Sequence, residues 1–314
     1  MIQYRHRDFK KARMVTRGAD NIAMKQAYFK YLFVLFLFGS NGIIASYIPL
    51  NSYEIVFTRT LIGSVFIIAV ILFSKRKLQL WKNRKHFGLL ILSGFAMGAS
   101  WMFLYEAYSQ IGVGIATLAY YFGPVLVLVF SSLVYRERIS FRKMLGCYAA
   151  LLGMVFVNGT ALLQSGLSQG LLFGILSALF MYALMVILNK KAASITGLEN
   201  AMWQLCASFF IVALFTLAKQ RGPISLTSQN ILPILFLGVV NTGIGCYLYF
   251  SSIQQLNAQT VAILGYLEPL SALALSALIL HEQLTHIQIL GAVLILGGAV
   301  FGEVFQRRKF PKQS

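Results

Sequence analysis

The chain has 314 residues, 58% of them hydrophobic and 11% charged, with a mean hydropathy of +0.73 and a formal net charge of +18. A water-soluble core of this size cannot hide so much apolar surface, which excludes an ordinary soluble enzyme or binding module. The three cysteines, Cys147, Cys206 and Cys246, lie in apolar runs and supply neither a disulfide framework nor paired metal-ligand spacing.

Residues 1–26 read as a basic N-terminal tail; the first 23 lack the apolar stretch of a signal peptide, and Met24-Lys25 would also make an ordinary start. Apolar stretches follow at about 27–46, 53–74, 87–109, 113–135, 141–158, 170–189, 198–218, 231–253, 258–280 and 286–305. Each is close to the ~20 residues needed to cross hydrocarbon. The expected fold class is therefore an all-α integral membrane protein of ten transmembrane helices. Residues 306–314 form a basic C-terminal tail.

Lys and Arg set the orientation, because cytoplasmic flanks hold an excess of them. With both termini inside, 24 of the 27 fall in cytoplasmic segments; Lys219 and Arg221 lie outside and Arg59 lies within a span. The basic excess is thus a topology signal, and no nucleic-acid partner is expected.

An internal repeat organises the chain. An offset of 145 residues pairs Glu54 with Glu199, Gly98 with Gly243, Gln110 with Gln255, Tyr121 with Tyr266, Pro124 with Pro269, Glu137 with Glu282, Gly146 with Gly291 and Gly153 with Gly298. The halves are 27–158 and 170–305, joined by an outer linker at 159–169. Five helices per repeat is an odd number, so the second half must enter from the opposite side, and the two repeats are expected to be inverted. The segment HEQLTH at 281–286 is one residue too long for the H-E-x-x-H zinc signature, and the repeat makes it an interhelical link that opens the last helix with a Thr285/Gln288 capping box. No metal and no cofactor are expected.

Inverted repeats place a binding site near the midplane, on interrupted helices at matching positions. Pro124 and Pro269 meet that description, since each removes a backbone hydrogen bond in mid-span; the alternative is a kink that only shapes packing. Glu268, beside Pro269, falls near the bilayer centre, where a carboxylate costs about 2.5–3.5 kcal/mol on insertion scales. It should face the interior and bind a cationic group or carry a proton; Gly123 occupies its place in the first half. Arg59, with Glu54 on the same helix and Glu106 on the next, suggests an outer gate built on an Arg59–Glu106 pair, which a static salt bridge would explain equally well. Trp101, Tyr120, Tyr121 and Tyr266 lie deep enough to line a pocket for an amine-bearing or zwitterionic ligand.

These residues carry a resemblance. NSYEIVFTRTLIG, EAYSQIGVGIATLAYYFGPV, YRERIS and the second-half echoes LENAMWQ and LGYLEPLSALALSALILHEQLT resemble the EamA branch of the drug/metabolite transporter superfamily, over residues 27 to 305. The resemblance implies a secondary transporter of small metabolites, amino acids or amines among them, commonly working outward. The expected setting is a multi-pass protein of a bacterial cytoplasmic membrane, with the lipid bilayer and a small molecule as partners, protons as a candidate coupling ion through Glu268, and a monomer or homodimer. The expectation is not an enzyme: no histidine lies in the interior of a span, and there is no Gly-x-Ser-x-Gly elbow, P-loop or paired cysteine. A membrane scaffold or sensor, hinted at by Gly298-x-x-x-Gly302, and a membrane-embedded hydrolase are the alternatives.

Overall fold

The computed structural model describes residues 22–75, 78–79, 83–135, 140–162, 169–219, 224, 228–281 and 283–304. The tail residues 1–21 and 305–314, and the repeat partners Glu137 and Glu282, lie outside them. The described chain forms α1 (Ile22–Ser46), α2 (Ser52–Phe73), α3 (Arg84–Gly112), α4 (Ile115–Tyr135), α5 (Phe141–Leu162), α6 (Gln169–Lys191), α7 (Gly197–Lys219), α8 (Asn230–Ile253), α9 (Ala258–Ile279) and α10 (His286–Val304). Among the described residues nine helices are long and apolar enough to cross a membrane. The tenth, α5, is 22 residues long and runs four residues beyond the expected 141–158.

Local chemistry explains where these helices begin. Asn51 and Glu54 cap α2 reciprocally, Glu54 N donating to Asn51 Oδ1 and Asn51 N to Glu54 Oε2, both at 2.9 Å. The expected Thr285/Gln288 box opens α10: Thr285 N donates to Gln288 Oε1 at 2.9 Å and Gln288 N to Thr285 Oγ1 at 3.3 Å. His281 sits in the preceding link at φ 56°, so His281 and His286 do not share a helix, as a zinc-protease motif would require. Gly112, at φ 74°, turns the chain from α3 into α4, a conformation open to glycine and strained for other residues.

Packing relates the two halves. A Cβ added to Gly146 of α5 would stand 2.5 Å from the Gly298 carbonyl of α10, and one on Gly153 would stand 2.5 Å from that of Gly291. Rising numbers on one helix meet falling numbers on the other, so α5 and α10 run antiparallel with their backbones in contact. Gly298 and Gly302 both meet Gly146, so this small-residue spacing serves packing within the chain. Likewise α2 and α7 are antiparallel, with ring centroids 5.6 Å apart for Tyr53 and Phe215 and 5.4 Å for Phe57 and Phe209. Both are pairs of repeat-equivalent helices. Burial falls from 50% of α3 to 28% of α1 and of α10, which puts α3 in the middle and leaves the apolar outer faces to lipid.

Four helices depart from regular geometry. Helix α4 breaks at Tyr121 (φ −76°, ψ 5°) and restarts at Gly123-Pro124; α9 breaks at Tyr266 (φ −67°, ψ −10°) and restarts at Leu267, two residues before Pro269. The two breaks are 145 residues apart, as the repeat requires. A proline lacks the N–H that would continue the ladder, so the break falls within the turn before it. Helices α6 and α8 widen into π-helical segments at Leu179–Val186 and Phe236–Ile244. The second aims Asn241 at α1, where its Nδ2 donates to Leu37 O, Ser40 Oγ and Asn41 Oδ1 at 2.8–3.2 Å.

Candidate functional site

Because α9 restarts at Leu267, Glu268 falls in the first turn of a 13-residue half-helix, at its positive end. Its side chain is neither sealed in the core nor open to the outside, being half-buried among the spans. The Tyr121 hydroxyl interacts with the carboxylate, and the Arg59 guanidinium acts on it electrostatically. Tyr31 of α1, Tyr108 of α3, Tyr120 of α4, Tyr182 of α6 and Tyr249 of α8 are also close enough to feel its charge. Six helices, four from the first half and two from the second, thus contribute to the surroundings of one carboxylate.

The aromatic wall is ordered by packing. Tyr120 lies 5.2 Å from Tyr121 and 5.4 Å from Tyr182 between ring centroids; Tyr31 lies 5.8 Å from Tyr249. The Tyr31 hydroxyl donates to the Val261 carbonyl at 2.7 Å, which ties α1 to the first half of α9. Tyr182 covers Gly123, the repeat partner of Glu268: a Cβ there would come within 2.0 Å of the Tyr182 ring. An aromatic face on one side and a carboxylate on the other suits a cationic nitrogen.

Arg59 and Trp101 pack together. The guanidinium carbon sits 4.7 Å from the Trp101 ring centroid. The expected Arg59–Glu106 pair is not made. Glu106 accepts from the Tyr53 hydroxyl at 2.7 Å and pairs with Lys219 at 3.3 Å, with Gln110 Nε2 also at 3.3 Å. The reason is depth: Lys219 ends α7 level with Glu106, whereas Arg59 sits two turns into α2, over the Trp101 ring.

Two further expected residues take other places. Glu54 is buried, with its carboxylate in the α2 capping box. Tyr266 is fully buried and turned toward α5, its hydroxyl 3.7 Å from Cys147 Sγ, so it does not join the ring around Glu268. Tyr31, Tyr108 and Tyr182 were not anticipated. Tyr108 was visible in the EAYSQ passage, but nothing in the sequence distinguishes these three from interfacial tyrosines. A separate groove of about 250 Å³ between α3, α6 and α7 is lined only by apolar residues such as Leu92, Phe95, Phe180 and Ile211, and offers no polar contact.

Comparison with known proteins agrees with this architecture. The model of the EamA-like transporter family matches twice, at residues 26–159 and 168–302. The chain is 28% identical over 285 residues to "Uncharacterized transporter YxxF" of Bacillus subtilis, covering 88% of this chain and 90% of that protein. It is 24% identical to "Protein PecM" of Dickeya dadantii, covering 70% and 76%. It is 26% identical to the "Probable amino-acid metabolite efflux pump" of Escherichia coli, covering 60% and 68%. A solved structure titled "Crystal structure of protein" superposes with a TM-score of 0.77 at 18% identity, over 92% of this chain and 98% of that one, a likeness of fold.

Proposed function

The chain belongs to the EamA-like transporter family, and from that premise we propose that it moves a small metabolite bearing a cationic nitrogen across the cytoplasmic membrane by alternating access. The observation that carries this reading is Glu268: a carboxylate on an interrupted helix, surrounded by tyrosines from both halves. A charge held at that depth without use would cost stability, so intramembrane carboxylates mark substrate or proton routes.

The antiparallel packing of the equivalent helices α5 with α10 and α2 with α7 supports two inverted five-helix halves, a plan that gives two states of comparable energy around one site. The Lys/Arg distribution supports cytoplasmic termini. The probable amino-acid metabolite efflux pump among the relatives supports outward movement and an amino-acid metabolite as cargo. In this scheme Glu268 exchanges a proton for the cationic group, which couples export to proton entry.

The test is thermal stabilisation of the purified protein by amino acids, polyamines, nucleosides and quaternary amines, wild type beside Glu268→Gln, followed by flux in proteoliposomes under an imposed pH gradient. A ligand that stabilises wild type, is weakened at least tenfold by Glu268→Gln and moves with the gradient supports the reading. Ligands that stabilise both proteins equally remove Glu268 from the binding site.

A further inference from the structure

We propose that the apolar groove between α3, α6 and α7 holds an acyl chain of one anionic phospholipid, whose phosphate sits at the mouth of the groove between Lys85 and Lys191. This site lies on the lipid-facing surface of the bundle, apart from the surroundings of Glu268, and goes beyond the transport reading.

The walls of the groove are Leu92 and Phe95 of α3, Phe180, Leu184 and Leu188 of α6, and Ile211 of α7. Ala96 and Ala99 also line it, and their short side chains leave the depression between the larger ones. Leu92 is 53% exposed and Leu184 39% exposed, so the groove opens toward lipid and not into the bundle. Without a polar lining it gives a hydrophilic metabolite nothing to bond. A volume of about 250 Å³ is also too small for a further helix, which is about 10–12 Å across. Leu92 to Ala99 and Phe180 to Leu188 each cover about 10–12 Å along their helices. That is within the ~15 Å depth of one leaflet's hydrocarbon. A single flexible hydrocarbon chain matches this length, width and lining.

The charge lies at one end. Lys85, Leu92 and Ala99 are seven residues apart and share a face of α3. Between them Gly88 is exposed, and a Cβ added there would meet nothing within 4 Å, so a clear strip joins the lysine to the groove. On α6, Leu188 and Lys191 are three residues apart, one above the other on the same face. The ends of the two helices are drawn together: His86 Nδ1 lies 2.6 Å from Ser194 Oγ, and Leu90 packs with Ala192 and Ile195 of the link between α6 and α7. Lys190 donates to the carbonyls of Ile253 and Leu256, whereas Lys85 and Lys191 are exposed. Glu199, an acid at this end, is buried and accepts from the Gln79 N–H at 2.6 Å. Two exposed ammonium groups above an apolar slot suit a phosphate diester that carries its own chain. Phe180 and Leu184 belong to the π segment Leu179–Val186, whose buried Tyr182 covers Gly123. A chain seated in the groove therefore bears on the outer face of the segment that forms the aromatic wall.

The test is native mass spectrometry of the full-length protein released from micelles with equal amounts of dioleoyl phosphatidylglycerol and dioleoyl phosphatidylcholine, which share chains and differ in charge. Wild type should retain one phosphatidylglycerol at least fivefold more often than phosphatidylcholine. Lys85→Gln with Lys191→Gln should abolish that selectivity, and Ala99→Leu, which fills the groove, should lower retention of phosphatidylglycerol at least fivefold. Leu92→Trp narrows the same groove from an exposed position and covers the case in which Ala99→Leu fails to fold. Equal retention of the two lipids by wild type overturns the proposal, as does selectivity that survives the double substitution. Retention untouched by the groove-filling variants puts the lipid elsewhere and also overturns it. Glycerol 1-phosphate, the headgroup phosphate without chains, should not displace the lipid; displacement would mark a site for free anions and overturn the lipid assignment.

Discussion

Gly123→Ala is the sharpest test of the site's geometry, because it adds one methyl group where the structure has no room for it. The new Cβ would lie 2.0 Å from Cδ2 of Tyr182, with Cγ at 2.6 Å and Cε2 at 2.7 Å. Ordinary contact begins at 3.4 Å, so the ring must retreat by roughly 1.4 Å. Tyr182 is 4% exposed and packs against Tyr120, so it has nowhere to go without moving its neighbours. Inserting a methyl into such a core costs typically about 1–3 kcal/mol. Gly88, also in a helix but with nothing within 4 Å, is the control; there alanine should stabilise by up to about 1 kcal/mol through helix propensity. The assay is detergent or denaturant unfolding of the three proteins, with ligand affinity measured alongside. Gly123→Ala should be destabilised and should bind more weakly, and adding Tyr182→Ala should recover the space. If Gly123→Ala is as stable as Gly88→Ala, Tyr182 does not cover Gly123 and the aromatic wall is drawn wrongly.

The remaining expectations concern the rim and the seam. Glu106→Gln should change stability by less than about 1 kcal/mol, because the Lys219 side chain is 52% exposed and such pairs are weak; ligand affinity should be unchanged, and a large loss would restore Glu106 to the binding machinery. Gly298→Val should destabilise more than Gly297→Val in the same unfolding assay, since a Cβ on Gly298 meets the Gly146 carbonyl at 2.4 Å and backbone cannot rotate away, whereas Gly297 has nothing within 4 Å. Equal effects would mean that α5 and α10 are not in backbone contact.

The sequence made the scaffold legible because membrane spans are written in local composition: length, hydropathy and Lys/Arg asymmetry identify ten stretches without any tertiary information. The 145-residue offset carried further, since Pro124 and Pro269 mark the turns at which both α4 and α9 break. What stayed hidden depends on rotation about helix axes. In a helix that is apolar all round, no hydrophobic stripe says which way a tyrosine points, so Tyr266 was expected in the pocket and instead meets Cys147. The π segments of α6 and α8 change that rotation partway along; the one in α6, which carries Tyr182, contains neither proline nor glycine to mark it. Charge pairing was misassigned for a related reason: Arg59 and Glu106 look complementary in sequence, but Lys219, far along the chain, ends its helix at the right depth.

The two halves differ in charge at equivalent positions. Two halves that pack as α5 on α10 and α2 on α7 could have carried a carboxylate at both half-helix starts, yet one has Glu268 and the other has Gly123 beneath Tyr182. Arg59 likewise has Gln204 as its counterpart, fully buried on α7 and donating to Ser93 Oγ at 2.7 Å, a structural bond between helices. A repeated scaffold needs equivalence where helices pass one another, and the glycine seam supplies it. A metabolite without two-fold symmetry needs the opposite, residues that differ between the halves. The residues that break the repeat, Glu268, Arg59 and the Tyr182–Gly123 contact, are therefore those in which specificity should reside, and exchanging Arg59 for the glutamine of its repeat partner removes one of these asymmetries in a single step.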